Sequence, residues 1–315
     1  MRILATRSIE NAQHGAVVAI DDASRRRLCR GSSARDEILR LARPLGTGYA
    51  VGAFSRACLI RLIDYPEMPL KTHTNEIIKA SCSTLLVRTE LSVDGRMTPV
   101  SYKRVTRKGW LKRLTGALRV NRTFRTWKIA RKFHELGIAT AKPLAVIVPR
   151  KTAPSRPTFI AHEWIEGAWD LHAYAGQLER RGESQKSMRS RSVAESLGRL
   201  LGHLHASNIS HRDLKESNLL MVERDENVEA YVIDLDGAAV RRRMPRSLRL
   251  KNLARLGVSV ESLPPVGRTV KLRFLKAYLS RADDPTWDWK TVWLDLTKQT
   301  AAMSARKRRK RKRAA

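Results

Sequence analysis

One stretch of the sequence decides the fold: residues 211–218 read H-R-D-L-K-E-S-N, from His211 to Asn218. They match the catalytic-loop pattern H-R-D-L-x-x-x-N, in which the aspartate takes a proton from an acceptor hydroxyl. The asparagine of that pattern is a metal ligand on the same side of the loop. We therefore predict that Asp213 is a catalytic base and that Asn218 binds Mg²⁺.

A second aspartate follows this loop at the end of an apolar strand. Residues 232–237 read V-I-D-L-D-G, which places Asp234 at the strand end and Asp236 shortly after it. We expect Asp234 to be the second Mg²⁺ ligand, because the apolar Leu235 follows it as phenylalanine follows the aspartate of a D-F-G motif. Asp236, directly before Gly237, is the alternative. An acceptor hydroxyl, a carboxylate and metal ions are what phosphoryl transfer from ATP requires.

Residues that could hold the phosphates of ATP lie upstream. Lys103 stands inside the apolar strand 100–105, where an ammonium group is unfavourable unless it meets a phosphate or a carboxylate. We expect Lys103 to hold the α- and β-phosphates. The phosphate-covering loop should lie at residues 81–84, which read S-C-S-T without glycine. Hydroxyl and backbone N–H groups of Ser81 and Ser83 are expected to replace a glycine-rich loop.

A hinge between two lobes is expected at residues 163–167, which read E-W-I-E-G. Backbone groups near Glu163 and Trp164 would face the adenine of ATP. A glycine-rich stretch at residues 46–52 has the wrong spacing and lies far upstream of the strand lysine, so it carries little weight as a phosphate loop.

The hydrophobic pattern changes from strands to helices along the chain. Strand patterns cover residues 76–79, 85–89 and 100–105, and a helical pattern covers 124–136. Two more strand patterns follow at 145–148 and 158–164, and helical patterns dominate after residue 192. We predict an α+β, protein-kinase-like bilobal fold, with a small antiparallel-sheet N-lobe and a mainly helical C-lobe.

The predicted organisation has four parts. They are an N-terminal extension of unclear structure at residues 1–70, the N-lobe at 71–165, the C-lobe at 166–303 and a disordered basic tail at 304–315. A short helix is expected over residues 36–43. The tail holds eight consecutive basic residues, from Arg306 to Arg313, whose mutual repulsion is typical of a disordered segment.

Charge and cysteine content limit the cellular setting. The 315 residues carry a formal net charge of +32, so the field of the protein attracts polyanions such as nucleic acid, anionic lipid head groups or phosphorylated sugars. The three cysteines, Cys29, Cys58 and Cys82, have no metal-ligand spacing, and their odd number favours a reducing compartment. We expect a cytoplasmic protein without a secretion signal or a membrane span.

Taken together, these motifs resemble the lipopolysaccharide kinase (Kdo/WaaP) family over residues 75–280. The catalytic loop, Lys103 and Asp234 carry the resemblance, together with the segment Trp127–Leu144 and the helical segment Arg268–Leu279. The resemblance implies ATP-dependent phosphorylation of a heptose or Kdo hydroxyl in the inner core of lipopolysaccharide. It also implies work at the cytoplasmic face of the inner membrane, with at most peripheral membrane contact.

Two positions depart from the expected pattern. Thr126 stands where many kinases carry the glutamate that pairs with the strand lysine, so Lys103 lacks that partner or uses Glu135 or another carboxylate. Lys215, which we group with Asp213 as catalytic, stands where core-sugar kinases often have an aromatic residue or histidine. Protein Ser/Thr kinases commonly have lysine there.

Two alternatives to a core-sugar kinase therefore remain. One is a protein Ser/Thr kinase-like enzyme, although no A-P-E segment follows Asp234. The other is a non-catalytic kinase-fold protein that binds nucleic acid or an anionic membrane through its basic tail. For a sugar kinase, contacts to an anionic acceptor are expected from Arg212, Lys215 and the run Arg241–Arg243.

Overall fold

The computed structural model describes residues 38–313, with gaps at 53, 74, 107–121, 151–155, 265 and 283–286. Cys29 and the part of the N-terminal extension before residue 38 lie outside this range. Within it, no helix combines the length and the apolar character that crossing a membrane requires.

Seven strands among the described residues form one sheet in which every neighbouring pair is antiparallel. Its order is β1-β2-β6-β7-β5-β4-β3. The strands are β1 (Ile38–Arg43), β2 (Gly46–Val51), β3 (Glu76–Ser81), β4 (Thr84–Val93), β5 (Arg96–Val105), β6 (Pro143–Pro149) and β7 (Thr158–Glu163). Asp94 and Gly95, both with positive φ, form the tight turn between β4 and β5 that the sequence predicts.

Residues 38–70 belong to this sheet lobe, which corrects the expected boundary at residue 71. The helix expected over residues 36–43 is wrong within the described range, because Ile38–Arg43 is a strand paired with β2. Leu39 and Leu41 turn inward at a spacing of two, the period of a strand. Residues 36 and 37 lie outside the description. The expected boundary between 165 and 166 stays a prediction.

A helix explains Gly48, in the glycine-rich stretch at residues 46–52. Helix α1 (Arg56–Asp64) packs its buried Leu59 and Ile63 against the sheet. A Cβ added at Gly48 would stand 2.8 Å from side-chain atoms of both residues. Glycine therefore serves close helix-to-strand packing here, as expected for a sequence that is not a phosphate loop.

Helix α2 (Arg122–Glu135) lies across the same sheet. Its fully buried Trp127 packs with Val146 of β6 and Ile160 of β7. The chain leaves the helix at Gly137, whose φ of 67° is readily adopted by glycine. Helix α2 therefore lies between the sheet and the V-I-D-L-D-G segment, which it contacts through Thr126 and Arg125.

The second half of the described chain is mainly helical, as predicted. Three short strands pair in the order β11-β10-β8, and β9 pairs with β12. The elements are β8 (Ala168–Asp170), α3 (Leu171–Leu178), α4 (Glu183–Ala206), β9 (Ile209–His211), β10 (Leu219–Arg224), β11 (Asn227–Val232), β12 (Ala238–Val240), α5 (Arg246–Ser259), α6 (Arg268–Ala282) and α7 (Trp289–Lys312). The α+β fold class, with a sheet lobe and a helical lobe, is confirmed.

The basic tail is helical through residue 312, so the expected disorder from residue 304 is wrong for the residues described. Asp288 caps the start of helix α7, where its carboxylate accepts the N–H of Thr291, and the helix continues through the basic run. Arg309 to Lys312 occupy its last turn, where cations interact favourably with the helix dipole. This interaction opposes the mutual repulsion on which the expectation rested.

Helices α4 and α6 touch along their backbones. Gly198 and Gly202, one turn apart on α4, face the Phe274–Ala282 stretch of α6. The buried ring of His205 joins the same contact, with Nδ1 2.9 Å from the Tyr278 hydroxyl. Burial lowers the pKa of His205 to about 3, so the ring is neutral at pH 7.

Replacing Gly198 by alanine should lower the free energy of unfolding by about 1–3 kcal/mol through overpacking. The added Cβ would stand 2.5 Å from the Phe274 carbonyl oxygen, which cannot rotate away as a side chain could. Gly202→Ala should act in the same direction. Urea unfolding followed by tryptophan fluorescence measures the change.

The matched control is Gly176→Ala on α3, where no atom outside its immediate neighbours lies within 4 Å of the added Cβ. It should raise the free energy of unfolding by about 0.5–1 kcal/mol, the ordinary gain of alanine over glycine in a helix. Equal stability changes in Gly198→Ala and Gly176→Ala would show that the helix contact is looser than described.

Candidate active site

The predicted catalytic loop and the V-I-D-L-D-G segment lie side by side because short strands join them. In the β9–β12 pair His211 stands opposite Ala238, and the N–H of Arg212 donates to the carbonyl of Gly237 at 3.0 Å. A Cβ at Gly237 would stand 3.1 Å from the backbone nitrogen and Cβ of Asp213. Glycine at 237 therefore allows the two segments to approach closely.

Asp213 is open to solvent and held from within its own loop. Its side chain is 52% exposed, and one carboxylate oxygen lies 3.3 Å from Lys215 Nζ. The buried Asn218 donates its amide N–H to the Asp213 carbonyl at 2.8 Å and to the carboxylate at 3.3 Å. The amide oxygen of Asn218 makes no hydrogen bond with a described residue. An oxygen in this position can bind a cation.

Asp234 faces Lys103 across the two lobes. Its carboxylate lies 3.5 Å from Lys103 Nζ, with both side chains partly exposed. Asp234 has a left-handed backbone, with φ of 54° and ψ of 56°, which aspartate tolerates better than most side chains. The N–H of the preceding Ile233 donates to the Asn218 carbonyl at 2.9 Å, so Asp234 follows directly after a bond to the catalytic loop.

The partner of Lys103 is therefore Asp234 in this structure. Glu135, which the sequence offered as a substitute, pairs on its own helix with Arg131 at 3.8 Å and Lys132 at 3.3 Å. It is not the partner of Lys103.

Asp236 points to helix α2 instead. Its carboxylate accepts the Thr126 hydroxyl and lies 3.2 Å from Arg122 Nε, and its carbonyl accepts from the Arg125 guanidinium at 3.2 Å. Thr126 thus joins the helix to the V-I-D-L-D-G segment at the position where a glutamate was expected. The two rival aspartates have different surroundings, and this geometry favours Asp234 over Asp236 as a metal ligand.

His162 on β7 is a residue of this cleft that sequence reasoning missed. Burial first, and then the charge of Lys103, lower its pKa to about 4, while Asp236 acts in the opposite direction. The ring is therefore neutral at pH 7 and adds no charge beside Lys103. Burial also lowers the pKa of His211 in the catalytic loop. A histidine before a hinge carries no sequence pattern that would have identified His162.

The serines predicted to cover the phosphates lie in the turn between β3 and β4. Ser81 Oγ accepts the N–H of Thr84 at 3.1 Å, and the Ser83 carbonyl accepts the N–H of Thr106 at 2.9 Å. Both bonds stabilise the hairpin itself. The turn lies beyond the end of β5, the strand that carries Lys103. Contact of Ser81 and Ser83 with phosphate stays a prediction.

The backbone at the predicted hinge is already partly bonded. The N–H of Glu163 donates to the Lys142 carbonyl and that of Trp164 to the Pro99 carbonyl, both at 2.9 Å. These two N–H groups are therefore not available to an adenine, although other backbone atoms of the hinge could meet it. A role for Glu163 in nucleotide binding stays a prediction.

Candidate acceptor contacts lie at the edge of the catalytic loop. Arg212 and the run Arg241–Arg243 are exposed. Arg241 is held by a hydrogen bond from its Nε to Ser210 Oγ at 3.0 Å, next to β9. The basic run thus begins beside the strand that leads into the catalytic loop, and its contact with an acceptor stays a prediction.

Known proteins match this arrangement. Residues 88–278 match the family described as lipopolysaccharide kinase (Kdo/WaaP). A 3-deoxy-D-manno-octulosonic acid kinase from Pasteurella multocida is 28% identical over 118 residues, 38% of this chain and 45% of that protein. One from Actinobacillus succinogenes is 27% identical over 152 residues, 45% of this chain and 59% of that protein. The chain thus spans about half the length of these relatives.

A solved structure shares the fold. WaaP in complex with acyl carrier protein aligns with a TM-score of 0.54 and 24% identity, covering 78% of this chain and 92% of that chain. This likeness confirms the predicted kinase-like fold.

The bond between Thr126 and Asp236 should couple the two residues energetically. Thr126→Val and Asp236→Ala should each lower the free energy of unfolding by about 1–3 kcal/mol, the usual loss for a hydrogen bond to a charged group. The double variant should lose less than the sum of the two, because both single changes remove the same bond. Urea unfolding of the four proteins gives the coupling.

Thr297→Val on α7 is the control for this cycle. Thr297 Oγ1 lies 2.8 Å from the carbonyl four residues earlier, as Thr126 Oγ1 lies 3.0 Å from its own, but among described residues Thr297 meets no carboxylate. Its change should stay within about 0.5 kcal/mol, as for most surface substitutions. Strictly additive losses in Thr126→Val and Asp236→Ala would mean that the bond does not hold in solution.

Proposed function

Because the chain belongs to the lipopolysaccharide kinase (Kdo/WaaP) family, we propose that it transfers the γ-phosphate of ATP to a heptose or Kdo hydroxyl of the lipopolysaccharide inner core. One observation carries the proposal. Asp213, Asn218, Asp234 and Lys103 lie together: Asn218 contacts Asp213, Lys103 contacts Asp234, and the N–H of Ile233, next to Asp234, donates to the Asn218 carbonyl. Phosphoryl transfer requires this set of groups.

Asp213 acts as the base in this proposal. Its exposed carboxylate can orient the sugar hydroxyl and accept its proton as the oxygen attacks the γ-phosphorus. Asn218 restrains the aspartate from the side opposite to solvent. Lys215, 3.3 Å from the carboxylate, can contact both Asp213 and an oxygen of the transferred phosphoryl group.

Asn218 and Asp234 supply oxygen atoms suited to Mg²⁺, which commonly takes one or two protein ligands and completes its shell with phosphate and water. The amide oxygen of Asn218 and the carboxylate of Asp234 meet this requirement. Bound with ATP, Mg²⁺ would neutralise charge on the phosphates. Lys103 would then exchange its loose contact with Asp234 for the α- and β-phosphates, with Ser81, Ser83 and Glu163 as further nucleotide contacts.

The acceptor in this proposal is an anionic glycolipid at the cytoplasmic face of the inner membrane, reached by peripheral contact. The net charge of +32 supports an anionic partner. Arg212 lies within the catalytic loop, and Arg241–Arg243 directly follow β12, the strand that pairs with β9 before the loop. Since WaaP was solved with an acyl carrier protein, a carrier protein is a further candidate partner. Nucleic acid binding by the basic end of α7 is not favoured.

Transfer of labelled γ-phosphate from Mg-ATP tests the activity. Purified lipopolysaccharide core should be labelled and a generic protein substrate should not. Asp213→Asn should reduce labelling by about 10²–10⁴-fold, the usual contribution of a general base. The control is Asp225→Asn in the exposed β10–β11 turn, where φ is 51° and asparagine fits equally well. Protein labelling would favour a protein kinase, and absence of any turnover would refute the proposal.

The assignment of the metal ligand has its own test. Asp234→Asn should weaken Mg²⁺-dependent binding of a non-hydrolysable ATP analogue by at least about tenfold, because a charged ligand becomes neutral. Asp236→Asn should change binding much less, because its carboxylate faces α2. Isothermal titration calorimetry with and without Mg²⁺ measures both. The reverse ranking would identify Asp236 as the ligand.

A further inference from the structure

Helix α5 holds the catalytic loop at two points. Asn252, fully buried, accepts the backbone N–H of His211 with its amide oxygen at 2.7 Å. About two turns further along the helix, Ser259 Oγ accepts the backbone N–H of Glu216 at 3.1 Å. These bonds lie on either side of Asp213 in the sequence. The helix therefore runs alongside the loop from its first residue to the residue after Lys215.

Arg255 lies between these two contacts on the same face of the helix. Positions 252, 255 and 259 follow the three- and four-residue spacing that brings side chains to one side of an α-helix. Because Asn252 and Ser259 both face the loop, Arg255 faces its middle, where Asp213 stands. Burial lowers the pKa of Arg255, and the charge of the nearby Asp213 carboxylate acts in the opposite direction.

Arg255 has no direct partner among the described residues. It is half-buried, yet it makes no hydrogen bond or ion pair within the described part of the chain. Two other arginines of α5 are bonded: Arg246 pairs with Asp295 at 2.9 Å, and Arg249 donates to two backbone carbonyls. A partly desolvated guanidinium without a partner is unfavourable. A bound anion would remove this penalty.

We propose that Arg255 is an acceptor-binding residue, whose guanidinium holds a carboxylate or phosphate group of the sugar that presents its hydroxyl to Asp213. The inference rests on the proposed function and extends it to the chemistry of the acceptor. The nucleotide side of the cleft is marked by Lys103 and Asp234, whereas Arg255 approaches from α5 beside the base. Its planar fork of N–H donors matches the paired oxygens of a carboxylate or phosphate.

Steady-state transfer kinetics with purified inner-core lipopolysaccharide test the inference. Arg255→Gln should raise the KM for the glycolipid by about 10- to 100-fold, the loss expected for a charge-assisted, bidentate contact. The KM for ATP should stay within about twofold, because the substitution removes a contact to the acceptor and none to the nucleotide. Arg255→Lys should restore only part of the affinity, since it keeps the charge and loses the fork.

Lys251→Gln is the matched control. It removes one positive charge from the exposed side of the same helix, and Lys251 makes no hydrogen bond or ion pair with a described residue. Its KM values should both match those of the unaltered protein. If Lys251→Gln and Arg255→Gln raise the KM for the glycolipid equally, the cause is the loss of one positive charge at long range, and the inference is wrong. Thermal unfolding of each variant excludes loss of fold as the cause.

Chemically altered acceptors identify the anion. Reducing the sugar carboxylate to an alcohol should weaken binding to the unaltered protein, and Arg255→Gln should lose nothing further on that acceptor if the carboxylate is the ligand. If a phosphate is the ligand, phosphatase-treated lipopolysaccharide should bind the unaltered protein more weakly, and Arg255→Gln should lose nothing further on it. If Arg255→Gln loses the same factor on the intact and on both altered acceptors, Arg255 does not contact either group.

Calorimetric binding of the same glycolipids without ATP separates this inference from the proposed function. If transfer occurs but acceptor affinity does not depend on Arg255, the kinase activity is supported and the role of Arg255 is overturned. Binding that depends on Arg255 without any transfer would support the anion site and refute the kinase activity. Absence of both binding and transfer would overturn both.

Discussion

The close approach of Gly237 to the backbone of Asp213 is the constraint on which the rest of the site depends. A Cβ at position 237 would stand 3.1 Å from Asp213, so any other residue would force the two aspartate-bearing segments of the β9–β12 pair a few tenths of an ångström apart. Beside this contact, the Asp213 carboxylate is exposed to solvent, and the carboxylates of Asp234 and Asp236 point in different directions. Backbone pairing thus brings the two segments together, and contacts of the charged groups, such as Lys103 with Asp234 and Lys215 with Asp213, form on that frame.

The divergence of Asp234 and Asp236 shows how backbone conformation assigns roles to similar residues. The left-handed conformation at Asp234 and the single helical turn that follows it rotate the chain between the two carboxylates. One consequently meets an ammonium from the sheet lobe and the other a hydroxyl and a guanidinium from α2. With Thr126 in place of a glutamate, α2 is linked to the V-I-D-L-D-G segment rather than to Lys103.

Motifs and periodic patterns predicted the parts of the molecule that have strong local signals. The H-R-D-L-x-x-x-N loop, the Asp94-Gly95 turn and the helix ending before Gly137 could all be identified because each combines a residue type with a spacing. Strand β1 could not, because its alternation covers only two inward leucines among arginines. The direction of Asp236 and the position of Arg255 depend on contacts between distant segments, which no single-sequence pattern records.

The last turns of helix α7 consist of Lys and Arg residues, which repel one another at spacings of three and four residues. Like charges at this spacing destabilise a helix by a few tenths of a kcal/mol per pair. Dissolved salt screens this repulsion, with a Debye length of about 10 Å at 0.1 M that shortens as salt is added. The favourable helix dipole acts in the opposite direction and over a shorter range. The number of ordered turns in this segment is therefore a function of the ions around it, so the helix lengthens as counterions gather and frays as they are diluted.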